Sequence, residues 1–179
     1  MALESTPDLQ ESFDRNRLHR ATKRVLAERC KVVSMRLTDG STFSWHIGDI
    51  DRLLPIYAAR PVWQVALQNL MLRQPPPPSR PWRFVIAEDD FTPGNLHRPD
   101  NHRKSCAFYV AVFDMGPHYL SSTSFWIPFA YLRSATYKKV SGGASAANAA
   151  VVRALTLDCQ AHANGIELPI GEKGGPVLV

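Results

Sequence analysis

The chain has 179 residues, of which 45% are hydrophobic and 21% are charged. This usage is typical of a globular domain and excludes collagen, wholesale disorder and an acidic solvating tail. No run approaches the roughly 18 apolar residues of a membrane helix, and the N-terminal stretch has no apolar core of a secretory signal. The three widely spaced cysteines form neither a disulfide framework nor a metal knuckle, which indicates a reducing, intracellular compartment.

The net charge is +5, from 21 Lys and Arg against 16 Asp and Glu. The excess is concentrated between Asp14 and Arg36, where Asp14 and Glu28 are the only acids. Such a run is either a solvated helix face or a surface for a polyanion, and both interpretations stay open. Its basic residues are Arg15, Arg17, Arg20, Lys23, Arg24, Arg29, Lys31 and Arg36.

The N-terminal third predicts a helix followed by a hairpin. Residues 1–9 are expected to be a loose tail, and weak 3.6-residue periodicity predicts a basic helix over 10–30. Residues 31–37 and 42–47 both alternate between apolar and polar side chains around Asp39-Gly40. Since glycine accepts the positive φ of a tight turn, this pattern predicts a β-hairpin.

The middle of the chain predicts a helix and a strand. Pro61 suits the first turn of a helix over 60–73, whose buried stripe is expected to contain Val62, Val65, Ala66 and Leu70, with Trp63 beside it. The prolines 75–78 end that helix and form a stiff spacer. A strand over 82–88 and a polar loop over 89–104 follow.

The last third predicts an antiparallel pair and a helix. The apolar run 106–113 is typical of a strand covered on both faces, or of one packed on one face and used for contact on the other. A turn at 114–117 and a partner strand over 119–129 are expected next, then a basic loop over 138–143. A helix over 145–163 would bury Asn148, Val151, Val152, Leu155, Cys159 and His162, and Asn164-Gly165 would end it.

The predicted fold class is therefore α+β, with a mostly antiparallel sheet whose central β-hairpin packs against a long C-terminal helix. The element order is helix, hairpin, helix, strand, strand, strand, helix. No internal repeat is present.

Catalytic patterns are weak. His97, His102 and Cys106 lack a fourth ligand and the tight pairs of a zinc site. Glu88-Asp89-Asp90, with Asp158, are the carboxylates that a metal-dependent nuclease or primase-like enzyme would use, but they more simply end a strand and open a loop. No nucleophile elbow, P-loop or dinucleotide motif occurs. We expect neither catalysis nor a cofactor nor a metal.

Aromatic and basic residues interleave at three places: Trp82-Arg83-Phe84, Tyr131-x-Arg133 and Tyr137-Lys138-Lys139. A single-strand groove needs this combination, because cations track the phosphates while rings stack on exposed bases. The same pattern also arises from core aromatics beside solvated lysines. Nucleic-acid binding is therefore one hypothesis at this point.

The C-terminal third resembles a known family. Trp126-Ile127-Pro128 is followed by Asn148-x-Ala150-Val151-Val152-Arg153-x-Leu155 and by His162, Gly165, Ile166, Leu168 and Gly171-Glu172. This spacing is similar to that of phage single-strand DNA annealing proteins of the Rad-fifty-two-like superfamily, in the Sak branch. Trp63 and the strand ending at Glu88 extend the resemblance more loosely to residues 57–173.

The resemblance implies an ATP-independent protein that anneals complementary single strands during homologous recombination, as a ring or helical filament. It implies an N-terminal extension over 1–54, an annealing core with the Rad-fifty-two-like fold over 55–173 and a mobile tail over 174–179. Single-stranded DNA, further copies of the chain and a host or phage single-strand binding protein or exonuclease are the expected partners, in the cytoplasm or nucleoid of a bacterial host.

The residues expected to contact DNA are basic or aromatic and lie along the predicted sheet and last helix: Arg133, Lys138, Lys139, Arg153, Arg103, Lys104, Tyr137 and Arg83. The basic N-terminal helix is expected to be a second DNA contact or an oligomer arm. The alternatives are the nuclease or primase-like enzyme and a nucleic-acid-binding module that does not anneal.

Overall fold

The computed structural model describes residues 15–74, 81–91, 104–159, 165–166 and 168–170. These residues form a two-stranded sheet, β1 (Cys30–Arg36) and β2 (Thr42–Gly48), and a three-stranded sheet. The second sheet has the order β3 (Phe84–Phe91), β4 (Ser105–Val112), β5 (Ile127–Arg133). All pairs are antiparallel and helices flank them, so the α+β class is confirmed. The predicted tails, the proline spacer and residues 92–103, with His97, His102 and Arg103, lie outside the described residues.

The predicted basic helix and β-hairpin are confirmed over the described residues, which begin at Arg15. Helix α1 (Arg15–Arg29) runs directly into β1, and β1 pairs with β2 antiparallel, with Arg36 opposite Thr42. Gly40 has φ 84°, which an L side chain rarely adopts, and the Asp39 carboxylate accepts hydrogen bonds from the Ser41 backbone and hydroxyl. Local turn chemistry therefore sets the hairpin register.

A short helix that the sequence patterns do not predict follows the hairpin. Helix α2 (Ile50–Ala58) begins after Asp49, whose side chain accepts a hydrogen bond from the Asp51 N–H. Ile50, Leu54 and Ala58 are buried at successive turns. Pro55 inside the helix and its length of nine residues hide the helical pattern.

Helix α3 (Pro61–Arg73) lies within the predicted range 60–73, and its buried face matches the predicted stripe only in part. Trp63, Ala66, Leu67 and Leu70 are buried, whereas the prediction that Val62 and Val65 belong to the buried stripe is wrong. The Trp63 indole N–H donates to the Ser124 carbonyl at 2.9 Å, and its ring packs against Phe125. Burying this large ring fixes the rotation of the helix.

The three-stranded sheet departs from the predicted boundaries at both edges. Strand β4 is where the apolar run places it, but β3 continues to Phe91, so Glu88, Asp89 and Asp90 lie within a strand. The predicted antiparallel partner of β4 is confirmed, but its predicted bounds of 119–129 are wrong. Gly116 (φ 92°) leads into the short helix α4 (Pro117–Leu120), and Ser122 caps another helical turn. Trp126-Ile127-Pro128 therefore begins β5 instead of closing a strand.

Two helices follow β5. Helix α5 (Ser134–Tyr137) is a single turn, and α6 (Gly143–Thr156) starts earlier and ends earlier than the predicted helix over 145–163. The N–H groups of Leu157 and Asp158 both donate to the Arg153 carbonyl, which closes α6 at that point. Val151 and Leu155 are buried as predicted, but Asn148 is half-buried and Val152 is exposed. Cys159 is buried beyond the end of the helix, and His162 lies outside the described residues.

The hairpin and the three-stranded sheet share one hydrophobic core. The Trp45 ring lies 5.9 Å from the ring of Phe108, and its indole N–H donates to the Tyr131 carbonyl at 2.9 Å. At Gly48 an added Cβ would lie 2.9 Å from the Phe129 carbonyl oxygen, so only glycine permits this approach to β5. The predicted boundary between an N-terminal extension and an annealing core, after residue 54, stays a prediction.

Candidate nucleic-acid interface

A groove of about 520 Å³ lies between the three-stranded sheet and the hairpin, and the C-terminal end of α1 contributes to its wall. Strand β5, at the edge of the sheet, contributes the continuous run 128–133. Strands β3 and β4 contribute Phe91, Ala107 and Tyr109, which share one face because successive side chains of a strand point to opposite faces. Phe108 points into the core against Trp45, so its neighbours Ala107 and Tyr109 point into the groove.

The groove exposes several aromatic rings. Tyr131 is 65% exposed and lies beside Ala107 in the register of β4 and β5, and Phe91 at the end of β3 is 39% exposed. Tyr109 and Phe43 are half-buried on the groove wall. Flat rings of this kind offer stacking surfaces to unpaired bases, whatever the base sequence.

Arg133 is the cation that the sheet places in the groove. It is exposed at the end of β5, where it lies opposite Ser105, which in turn lies opposite Phe91. Small Ala107 and Ser105 are buried between these larger neighbours. The exposed carboxylate of Asp89 lies on the same face, opposite Ala107, and places a negative charge beside the groove.

Lys138 and Lys139 are exposed in the turn that follows α5. The Lys139 carbonyl accepts a hydrogen bond from the Thr38 N–H at 2.8 Å, so the turn is fastened to the hairpin. Thr136, three residues after Arg133, lines the groove. Both lysines therefore come shortly after the groove-lining Thr136 in the chain.

On the opposite face of the sheet, the Glu88 carboxylate binds Tyr137, a predicted DNA contact, and Cys106, which the sequence offered only as a weak metal-ligand candidate. The Tyr137 hydroxyl and the Cys106 thiol each donate to Glu88 Oε1 at 3.1 Å. Burial, reinforced by Glu88, raises the pKa of Cys106 to about 12 and that of Tyr137 to about 12. Both groups therefore stay protonated at neutral pH, and the Cys106 thiol is a poor nucleophile.

Lys104 and Arg83 are also paired with acids. Lys104 Nζ lies 2.7 Å from Asp90 Oδ2. The Arg83 guanidinium donates twice to Asp114 Oδ1 and its backbone N–H donates to Oδ2, while its cation lies 4.7 Å from the ring centre of Phe113. Asp114 raises the pKa of Arg83 through these hydrogen bonds. This arrangement ties the start of β3 to the end of β4.

The predicted residues are therefore not brought into one cluster. Arg133 lines the groove, and Lys138 and Lys139 follow it along the chain. Arg153 lies on α6, 4.0 Å from Asp158, and Arg83 lies at the far end of β3, about 23 Å from Asp90 at ~3.3 Å per residue. Arg103 lies outside the described residues.

Sequence reasoning missed the aromatic members of the groove other than Tyr131. The sequence pattern ends the strand at Glu88 and so places Phe91 in a loop. It marks Tyr109 only as one member of an apolar run. Period-2 spacing within 84–91 and 105–112 is the signal that places both rings on one side of the sheet.

Two structural absences hold for the described part of the chain. No group of three His, Cys, Asp or Glu side chains there is arranged to hold a metal ion, and β3 divides its carboxylates between two faces. None of the described helices combines the length and hydropathy of a bilayer span.

No protein-family model, curated protein or solved structure matches the chain.

Proposed function

We propose that this protein binds single-stranded DNA in the groove and, as an oligomer, anneals complementary strands without ATP. The observation that carries the proposal is the groove itself, in which the exposed rings of Tyr131 and Phe91 lie beside Arg133. Single-strand binding without sequence preference needs stacking surfaces and cations along one path.

The chemistry of annealing needs no catalytic group. Two complementary strands repel each other through their phosphates, and a cationic surface reduces that repulsion by releasing counterions. Rings that hold the bases of one strand in an extended arrangement also reduce the ordering entropy lost when the second strand pairs. No covalent bond forms or breaks in this process.

The order of elements supports the same proposal. The resemblance to Sak-type annealing proteins implies a β-sheet backed by a helix, and the antiparallel sheet β3–β4–β5 followed by α6 fits that order. Two departures are that α6 has only 14 residues and that helical turns join β4 to β5. On this account the core over 55–173 assembles into a ring or filament. Such a protein acts in the cytoplasm or nucleoid of a bacterial host, beside a single-strand binding protein or an exonuclease.

Fluorescence anisotropy with labelled single-stranded DNA of about 20 nucleotides tests binding. We expect saturable binding that weakens with salt, and weaker binding to the matching duplex, whose stacked bases cannot reach the rings. Equal affinity for duplex and single strand would contradict the groove as the binding site. Incubation with Mg²⁺ is run in parallel, and shortening of the strand would favour the nuclease alternative instead.

A further inference from the structure

Helix α1 carries cations next to the groove. Leu26, in its last turn, lines the groove wall together with Cys30. Lys23 precedes Leu26 by three residues, a spacing that places two side chains on the same side of an α-helix. Lys23 is therefore one turn further out along the stripe that forms the wall.

Two cations of this helix, Lys23 and Arg24, are poorly compensated. Lys23 and Arg24 are exposed, and no carboxylate of the described residues forms an ion pair with Lys23. Arg24 is 3.8 Å from Glu28, but both side chains are largely solvent-exposed, and such pairs contribute little. The positive charges of Lys23 and Arg24 are therefore available to a polyanion.

We infer that α1 is an extension of the DNA path, in which Lys23 holds a phosphate of the same strand whose bases stack in the groove. The helix has 15 residues and is about 22 Å long at ~1.5 Å per residue, so it reaches well beyond the groove wall. Three residues separate Lys23 from Leu26, an axial rise of about 4.5 Å, so Lys23 lies close enough to the wall to contact a strand that occupies the groove. The occupant is the phosphate backbone, since Lys23 itself offers no ring to a base.

This inference rests on the proposed binding of single-stranded DNA, and it makes a length-dependent prediction. An oligonucleotide of about 6 nucleotides fills the groove alone, whereas one of about 20 nucleotides also reaches α1. In Lys23→Gln we expect affinity for the long oligonucleotide to fall about fivefold, with a salt slope smaller by about 0.7, and affinity for the short one to be unchanged. Lys23→Arg restores binding of the long oligonucleotide.

The matched control is Arg60→Gln, because Arg60 is an exposed cation that stacks on Tyr57 and does not line the groove. It should bind both lengths like the wild type. Failure of the wild type to bind either oligonucleotide would refute the proposed function itself. If the wild type binds and Lys23→Gln weakens both lengths equally, or neither, α1 is not an extension of the path. A change in particle mass in Lys23→Gln, with DNA binding intact, would instead assign α1 to contacts between copies and overturn the inference.

Discussion

Replacing Tyr131 by alanine probes the stacking surface directly. The ring is 65% exposed, so its removal takes little apolar surface out of the core. The backbone bond that matters for the fold survives, because the Tyr131 carbonyl still accepts from the Trp45 indole. We therefore expect the free energy of unfolding to change by about 0.5 kcal/mol or less, as for other exposed positions.

The effect on DNA binding is much larger. Stacking of one base on an aromatic side chain contributes about 1–3 kcal/mol, measured by alanine substitution. Since 1.4 kcal/mol corresponds to a factor of ten, Tyr131→Ala should weaken single-strand binding by about 5- to 150-fold. Tyr131→Phe retains a ring and should bind almost like the wild type.

Fluorescence anisotropy at one fixed salt concentration measures these affinities, and a thermal melt of each variant reports stability. Phe113→Ala is the matched control: its ring is 44% exposed but lies beside Arg83 and does not line the groove. Wild-type affinity in Tyr131→Ala, with an unchanged melting temperature, would refute the assignment of the groove as the base-binding surface.

Three further outcomes are expected. Replacing Lys138 and Lys139 by glutamine should weaken single-strand binding by about 1 kcal/mol per lost phosphate contact and reduce the salt slope by about 0.7 each; unchanged salt titrations would exclude that turn from the site. Leu155→Ala should lower the free energy of unfolding by about 2–5 kcal/mol because Leu155 is buried. Val152→Ala, at an exposed position of the same helix, should be nearly neutral. Similar midpoints of chemical denaturation for both variants would contradict the assigned buried face of α6. Burial raises the pKa of Cys106 to about 12, from 9.0 in an unperturbed thiol, so the folded state holds the proton more tightly than the unfolded state. The contribution of this thiol to the free energy of unfolding is therefore fully present below about pH 9 and is lost as the pH rises toward 12. Denaturation of Cys106→Ala across that range should show a shallower fall than the wild type, and an identical pH dependence would refute the shift.

Short-range signals were sufficient for much of the fold. Asp39-Gly40 determines the hairpin because a glycine with φ 84° and an aspartate side chain act within four residues. Pro61 marks the start of α3, and the uninterrupted apolar run marks β4. These features depend on neighbours in the chain, so a pattern can report them.

Long-range packing determines the features of the fold that the sequence patterns do not predict. The rotation of α3 depends on the hydrogen bond from Trp63 to the Ser124 carbonyl, 61 residues away in the chain. The start of β5 depends on two preceding helical turns that the periodicity of the sequence does not predict. The same holds for the candidate site. Arg83 and Asp114 are 31 residues apart, so a cation predicted to contact DNA is in an ion pair that only the folded chain forms.

The central claim concerns pairing of two strands, and annealing itself tests it most directly. Complementary oligonucleotides carrying a donor and an acceptor dye are mixed at low concentration without nucleotide, with the wild type or with Tyr131→Ala. The account predicts faster pairing with the wild-type protein, by an assembly much larger than the 20.0 kDa chain, and a much smaller acceleration with Tyr131→Ala. A pairing rate equal to that of the oligonucleotides alone, with the protein running as a single chain, would contradict it.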